Sequence, residues 1–219
     1  MQDFVEVTGM VIYSAPVGEY DRRVILLTKE TGKITAFARG ARKPNSKFLA
    51  PTNLFAFGEF KLYQGKSAYT LADVHITNFF DELRMDYDAA LYGTYFLEIA
   101  DYYTRENLDE SQMLLLLYQS LRALSKEAIP NELVKCIYEM KAIVVNGEFP
   151  GVRSEANLLS DTVYAIEFVA NEPLKSLYCF NVSKEVLAQL KTECDVYRKR
   201  FMAHEFKSLS ILENCRLKM

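Results

Sequence analysis

The sequence predicts an α+β protein, with a five-stranded barrel at its N-terminal end followed by a mostly helical domain. Two observations support this class. Apolar residues recur with the period of strands up to about residue 80 and with the period of helices from residue 81. The charge balance changes at the same place, because residues 1–80 carry ten Lys and Arg against seven Asp and Glu, while residues 81–219 carry 16 against 22. We therefore predict two domains, 1–80 and 81–219.

Five segments of the first domain have the composition and alternation of β-strands, and turns rich in Gly, Pro or Asn separate them. They are residues 4–14, 24–28, 34–39, 54–63 and 68–79. The fourth segment changes its apolar register at Gly58, which predicts a β-bulge. Five short strands and a bulge within about 80 residues are typical of an OB-fold barrel.

From Asp81 onward the apolar residues recur about every four positions, which predicts helices. A first helix starts near residue 81, a second covers about 110–126, and a third begins at Pro130 and ends before Gly147. Residues 162–182 regain strand character, so a β-hairpin is expected to be inserted there. Ser183 is expected to cap a helix through about Lys191, and 195–212 to form one or two more.

The segment from Arg22 to Lys47 concentrates positive charge, with eight basic residues and one acid in a chain whose net charge is −3. Such a segment favours a polyanionic ligand. On the third strand, Phe37 and Arg39 share the face opposite the aliphatic residues. If the aliphatic face fills the barrel, both point outward and offer a stacking platform for unpaired bases.

The loop at 40–47 is polar and cationic, as a segment that follows a phosphate backbone should be. The predicted DNA-binding residues are therefore Arg22, Lys33, Phe37, Arg39, Arg42, Lys43, Ser46 and Lys47. The alternative interpretation is that these charges are solvated and that Phe37 lies in the core.

Nothing in the sequence indicates an enzyme, a cofactor or a metal site. Walker-type and G-x-S-x-G loops are absent, and the two histidines lack partners at ligand spacing. A nuclease that binds metal through the acids of 81–88 is one hypothesis, although acids in the first turn of a helix also complement its dipole. The four cysteines are expected to be reduced and mostly buried; they are Cys136, Cys179, Cys194 and Cys215.

The chain is expected to be cytoplasmic and to have no contact with a membrane. Its longest apolar run, Met113–Tyr118, is far shorter than the roughly 20 residues of a membrane span. Its first residues, MQDFVEV, have neither the basic nor the apolar region of a secretory signal.

Several short motifs, in order, resemble the bacterial RecO family of recombination mediators. They include Gly18-Glu19-x-Asp21, Gly32-Lys33, Gly40-Ala41-Arg42, Tyr92-x-x-x-Phe96-Leu97-Glu98, Gly147-x-x-Pro150, and the closing His204, Lys207 and Ser208. The resemblance implies an OB-fold and a helical domain, binding of single- and double-stranded DNA, and annealing of complementary strands. It also implies that the protein acts together with RecR, contacts the acidic C-terminal tail of single-strand-binding protein, and helps to load RecA onto DNA.

One departure from the family concerns zinc. Many members carry two C-x-x-C pairs after the Gly-x-x-Pro element, with the spacing of a four-thiolate site. Here that stretch holds only Cys179, so we predict no zinc and expect apolar packing of the hairpin in its place.

The second predicted domain, 81–219, is acidic overall but contains one cluster of basic residues, at 198–200. Arg198, Arg200 and His204 are candidate residues for an acidic protein tail, and the alternative is a solvated helix face. A different function also remains open, in which the basic barrel is a protein–protein adaptor that binds an acidic partner and no DNA.

Overall fold

The computed structural model describes residues 4–66, 68–126, 128–153 and 156–216. The chain divides into two compact units, the first made of Met1–Asp81 and Ala100–Leu114, the second of Glu82–Ile99 and Leu115–Met219. The first boundary lies next to the one predicted at 80/81. The first unit also includes residues 100–114, which the sequence assigned to the helical domain.

Five strands form a closed barrel in the order β1-β2-β3-β5-β4, which confirms the predicted OB-type architecture. The strands are β1 (Phe4–Val17), β2 (Asp21–Thr28), β3 (Gly32–Ala38), β4 (Phe57–Gln64) and β5 (Tyr69–Asn78). All pairs are antiparallel except β3 with β5, which meet in parallel at Ala36–Tyr69 and Phe37–Thr70.

The barrel is filled by one face of each strand, as the period of two requires. Its buried side chains are small or branched, with one Phe, and include Val7, Val11, Val24, Leu26, Ile34, Ala36, Ala38, Phe60, Leu62 and Leu71. The predicted bulge at Gly58 is confirmed, because the β4–β5 register shifts between Phe57 and Gly58. A Cβ at Gly58 would lie 2.2 Å from the carbonyl oxygen of His75, so only glycine fits this approach.

Seven α-helices are seen in the part of the chain that the structure describes. They are α1 (Asp81–Met85), α2 (Tyr87–Tyr103), α3 (Ser111–Leu124), α4 (Asn131–Val145), α5 (Ser160–Asn171), α6 (Lys184–Phe201) and α7 (Lys207–Arg216). Ser183 caps α6 as predicted, since its side chain accepts a hydrogen bond from the Val186 nitrogen. The helix runs ten residues beyond the predicted end at Lys191.

The β-hairpin predicted at 162–182 is wrong, because this stretch begins with helix α5 and continues into a 3-10 turn at Leu174–Ser176. The buried residues of α5 are Thr162, Ala165, Ile166 and Val169, which follow helical spacing. The buried Lys141 ends this helix by donating hydrogen bonds from Nζ to the carbonyl oxygens of Ala170 (2.9 Å) and Glu172 (2.8 Å). Burial lowers the pKa of this ammonium group.

The four cysteines carry free thiols. Cys136 and Cys194 are buried as expected, but Cys179 is exposed and Cys215 is half-buried. Burial raises the pKa of the Cys194 thiol, so this group is a packing residue and a poor nucleophile.

The turn between β2 and β3 depends on Gly32. A Cβ there would lie 2.4 Å from the carbonyl oxygen of Arg105 and 2.7 Å from that of Leu108, and φ is +67°. We expect Gly32→Ala to lower the free energy of unfolding by about 2–4 kcal/mol, from left-handed backbone strain plus overpacking. Gly147→Ala is the matched control, because its φ is +73° with no atom within 4 Å of the added Cβ. It should cost about 1 kcal/mol, and equal losses in urea titrations of the two variants would contradict the packing argument.

Candidate nucleic-acid interface

The turn after β3 is tied to the turn between β1 and β2. The backbone nitrogen of Gly40 donates to Asp21 Oδ1 at 2.7 Å, and the backbone nitrogen of Arg42 donates to the Tyr20 carbonyl oxygen at 2.8 Å. Asp21, Gly40 and Arg42 are residues of the motifs that resemble the RecO family. Their physical role is to hold the start of the cationic loop beside residues 18–21.

Three predicted cations lie at this end of the barrel. Arg42 Nη1 donates to the carbonyl oxygens of Gly18 (3.3 Å) and Glu19 (3.2 Å), which orients its guanidinium along the turn. Lys43 Nζ lies 5.4 Å from the centroid of the Tyr20 ring, a cation–π distance. Arg39 is exposed and makes no hydrogen bond or ion pair within the described part of the chain.

Phe37 points away from the barrel core. Its neighbours Ala36 and Ala38 are fully buried, whereas Phe37 is half-buried on the other face of β3. Its partner across β2 is Arg23, whose Cζ lies 5.3 Å from the centroid of the Tyr13 ring. Aromatic rings and cations therefore alternate on the outer side of β1, β2 and β3.

We call this set the basic–aromatic surface; it consists of Tyr13, Tyr20, Arg23, Phe37, Arg39, Arg42 and Lys43. The sequence argument singled out four of these residues and missed Tyr13, Tyr20 and Arg23. Strand alternation gave the signal for Arg23, because it flanks the buried Val24. Tyr13 was harder to find, because an irregular register between Val11 and Tyr13 changes the face of β1.

Arg22 has a structural role next to the basic–aromatic surface. Its Nη1 donates to Asn53 Oδ1 (2.7 Å), Thr52 Oγ1 (3.1 Å) and the Leu49 carbonyl oxygen (3.3 Å). Burial, and then the nearby positive charge of Arg42, lower the pKa of this guanidinium below its usual value. These bonds hold the 49–53 segment against β2.

The other three predicted DNA-binding residues, Lys33, Ser46 and Lys47, are not part of the basic–aromatic surface, and each is bonded to other residues of the chain. Lys33 lies at the opposite end of β3, where its Nζ is 3.0 Å from Asp101 Oδ1. Lys47 Nζ is 2.8 Å from Asp73 Oδ1 and 5.0 Å from the centroid of the Phe48 ring. Ser46 Oγ accepts a hydrogen bond from the Phe48 nitrogen at 3.3 Å, which stabilises the loop. A DNA contact by these three residues stays a prediction.

The three candidates for an acidic tail have different environments. Arg198 is 14 % exposed and its Nη2 donates to Asp195 Oδ1 at 2.9 Å. Arg200 is exposed, with its Cζ 5.2 Å from the centroid of the Phe201 ring. His204 Nε2 lies 3.9 Å from Glu98 Oε1, and Glu98 also accepts from the first backbone nitrogens of α7, those of Lys207 (3.1 Å) and Ser208 (2.9 Å).

A second cationic surface lies in the helical unit and was not predicted. It is a crevice of about 220 Å³ whose described lining residues include three cations; Gln119, Arg122, Ala123, Lys126, Ala128, Ile129, Lys175 and Tyr178 line it. Ile129 is buried, and Tyr178 is fixed by a 2.5 Å hydrogen bond to Ser120 Oγ. We call it the α3 crevice.

At least two of the four acids at 81–88 have structural partners. Asp86 Oδ1 accepts from the Ala89 nitrogen at 3.1 Å at the start of α2, and Asp88 Oδ2 accepts from Asn131 Nδ2 at 2.9 Å. Within the described ranges, no group of three or more His, Cys, Asp or Glu is placed to hold a metal ion.

No helix in the same ranges combines the length and apolar character needed to span a bilayer.

Comparison with known proteins agrees with this architecture. The family model described as Recombination protein O N terminal matches residues 1–80, and the one described as Recombination protein O C terminal matches residues 84–158. The chain is 26% identical over 244 residues to the DNA repair protein RecO of Acetivibrio thermocellus, with 96% of this chain and 97% of that protein covered.

Two further relatives match over shorter stretches. The DNA repair protein RecO of Symbiobacterium thermophilum is 34% identical over 157 residues, which cover 72% of this chain and 62% of that protein. The RecO of Clostridium novyi is 33% identical over 139 residues, covering 64% and 54%. Since the two family models match successive parts of the chain that coincide with its barrel and the first part of its helical region, the chain belongs to the recombination protein O (RecO) family, which has a role in DNA repair and recombination.

Proposed function

We propose that the basic–aromatic surface binds DNA with little sequence preference, chiefly single strands and also duplexes through their phosphates. The observation that supports this most is the position of Arg39, Arg42 and Lys43 beside Tyr20 and Phe37 at one end of the barrel. Cations there neutralise phosphates, and exposed rings stack on unpaired bases at about 1–3 kcal/mol per base.

The proposed role of this binding is that of a recombination mediator. The protein would hold one strand while a complementary strand pairs with it, and with RecR it would help load RecA onto DNA coated with single-strand-binding protein. This role requires that the protein bind DNA strands and position them, and it requires no bond-breaking step. We therefore propose that the protein is not an enzyme. Family membership supports the proposal, as does the surface described above.

The salt dependence of single-strand affinity tests the binding step. Four cations of the surface, Arg23, Arg39, Arg42 and Lys43, should give a slope of log affinity against log salt near −3, at about −0.7 per phosphate contact. The measurement is fluorescence anisotropy of a labelled thymidine oligonucleotide between 50 and 200 mM salt. Absence of binding at the lowest salt, together with capture of an acidic protein by the barrel, would favour the adaptor function instead.

We further propose that the α3 crevice receives the acidic C-terminal tail of single-strand-binding protein. Three cations around an apolar floor suit a short segment that carries both carboxylates and bulky side chains. This assignment differs from the residues first predicted from the sequence, since Arg198 is largely buried in an ion-pair network.

Changing Arg122 and Lys175 together to Glu should weaken binding of an acidic tail peptide by at least tenfold, because two attractive charges become repulsive. Isothermal titration calorimetry with the synthetic peptide measures this. The matched control is Lys184→Glu with Lys66→Glu, two exposed lysines outside both the crevice and residues 198–204. An equal loss in the control would show that general charge, and not the crevice, accounts for binding.

A further inference from the structure

A row of outward-facing side chains continues from the basic–aromatic surface around the barrel, with one residue on each of its five strands. The strand register pairs Arg23 with Phe37, Phe37 with Thr70, Thr70 with Tyr63, and Tyr63 with Phe4. We call these five residues the cross-strand row. Their chain neighbours pack in the barrel core and include Val24, Ala36, Leu71, Leu62 and Val5. Because side chains alternate along a strand, the row itself faces outward.

The far end of the row is an aromatic pair. The ring centroids of Phe4 and Tyr63 are 4.3 Å apart with an interplanar angle of 34°, and Phe4 is 48% exposed. Lys61 Nζ lies 4.5 Å from the Phe4 ring centroid and 3.3 Å from Glu6 Oε1. The nearby carboxylate offsets the charge of Lys61, so this end offers exposed aromatic surface to a base more than it offers charge to a phosphate.

The length of the row matches the footprint of a short single strand. Four steps between neighbouring strands, at about 4.8 Å each, span about 19 Å along the barrel surface. At the 3.4 Å spacing of stacked bases, that distance corresponds to about five or six nucleotides, within the range of about 4–16 nucleotides that one OB-fold covers. Thr70, between the two aromatic ends, is a small half-buried residue that leaves room for the chain to pass.

We propose that Phe4 and Tyr63 form a second stacking site for the same DNA strand that Phe37 contacts, so that the strand crosses the barrel wall over β3, β5 and β4. The proposal rests on the proposed function. It assigns base contacts to residues on β1 and β4, and it predicts that their contribution to affinity is independent of salt.

Tryptophan fluorescence tests this proposal cleanly, because the chain contains no Trp. We would compare Phe4→Trp and Phe37→Trp with the control Tyr164→Trp, whose position on α5 is 70% exposed and outside the row. On addition of a 12-nucleotide thymidine oligomer, the emission of the first two variants should fall in parallel with binding measured by anisotropy. The emission of the control should not change.

A second variant separates stacking from charge. Phe4→Leu combined with Tyr63→Leu should weaken binding of the same oligomer about tenfold, as loss of one stacked base predicts, with the slope of log affinity against log salt unchanged. Circular dichroism confirms that each variant is folded. Quenching at position 37 without quenching at position 4, and wild-type affinity in the double variant, would overturn the second site and leave DNA binding intact. Failure of the wild-type chain to bind the oligomer at low salt would overturn both.

Discussion

Changing Arg39, Arg42 and Lys43 together to Glu is expected to reduce single-strand affinity by roughly a hundredfold at 0.1 M salt. Each lost phosphate contact removes about 0.7 from the salt slope, which corresponds to about fivefold in affinity at this concentration, and three contacts multiply to about a hundredfold. The magnitude of the salt slope should fall by about 2 in the same titrations. All three side chains are exposed, and circular dichroism would check that the variant folds without the Arg42 bonds to the Gly18 and Glu19 carbonyl oxygens.

A control with the same change in net charge is available in the helical unit. Lys184, Lys199 and Lys207 are exposed and lie outside the basic–aromatic surface. Their triple change to Glu should alter affinity by only a few fold, because none of them contributes a phosphate contact to the proposed interface. If both triple variants lose affinity equally, the interface is not where we place it.

Replacing Glu139 by Gln is expected to lower the free energy of unfolding by about 3–5 kcal/mol. Glu139 is 1% exposed and accepts a hydrogen bond from Tyr95 Oη at 2.5 Å, while Lys135 Nζ lies 3.1 Å away and Arg198 Nε 3.7 Å away. The acid raises the pKa of Lys135 although burial alone would lower it. Without the charge of Glu139, the largely buried Lys135 loses its carboxylate partner and Arg198 keeps only Asp195. Removing one partner of a buried ion pair is costly because it leaves a buried charge uncompensated.

Thermal unfolding followed by circular dichroism measures this effect. A loss of this size should lower the midpoint by about 10 °C in a chain of this length. Glu167→Gln is the control, because Glu167 is exposed on α5 and its change should cost under about 0.5 kcal/mol. A small effect at Glu139, equal to that at Glu167, would mean that the network adds little to stability.

The barrel was predictable from the sequence because each strand has one aliphatic face and the turns carry clear signals. The bulge at Gly58 and the cap at Ser183 follow from local chemistry, and both were found. Helix α5 was missed because Val163, Ile166 and Val169 favour strands locally. Its helical state depends on long-range packing, including the bonds from Lys141 to its last turn.

The candidate site was predictable in part. Phe37 was expected to face outward if the aliphatic face filled the barrel, and the structure confirms that condition. The sequence could not show that Lys33 lies at the far end of β3, paired with Asp101, because charge counted along a segment does not reveal position around a barrel. Nor could it show the α3 crevice, whose cations come from residues about 50 positions apart.

Photo-cross-linking tests the central claim most directly, that the outer wall of the barrel holds unpaired nucleotides. A thymidine oligomer with 5-iodouracil substitutions would be bound to the wild-type chain, irradiated, and its adducts mapped by mass spectrometry. Our account predicts adducts on aromatic residues of the wall, above all Tyr13, Tyr20 and Phe37. Adducts confined to residues 115–216, with none on the barrel, would contradict it.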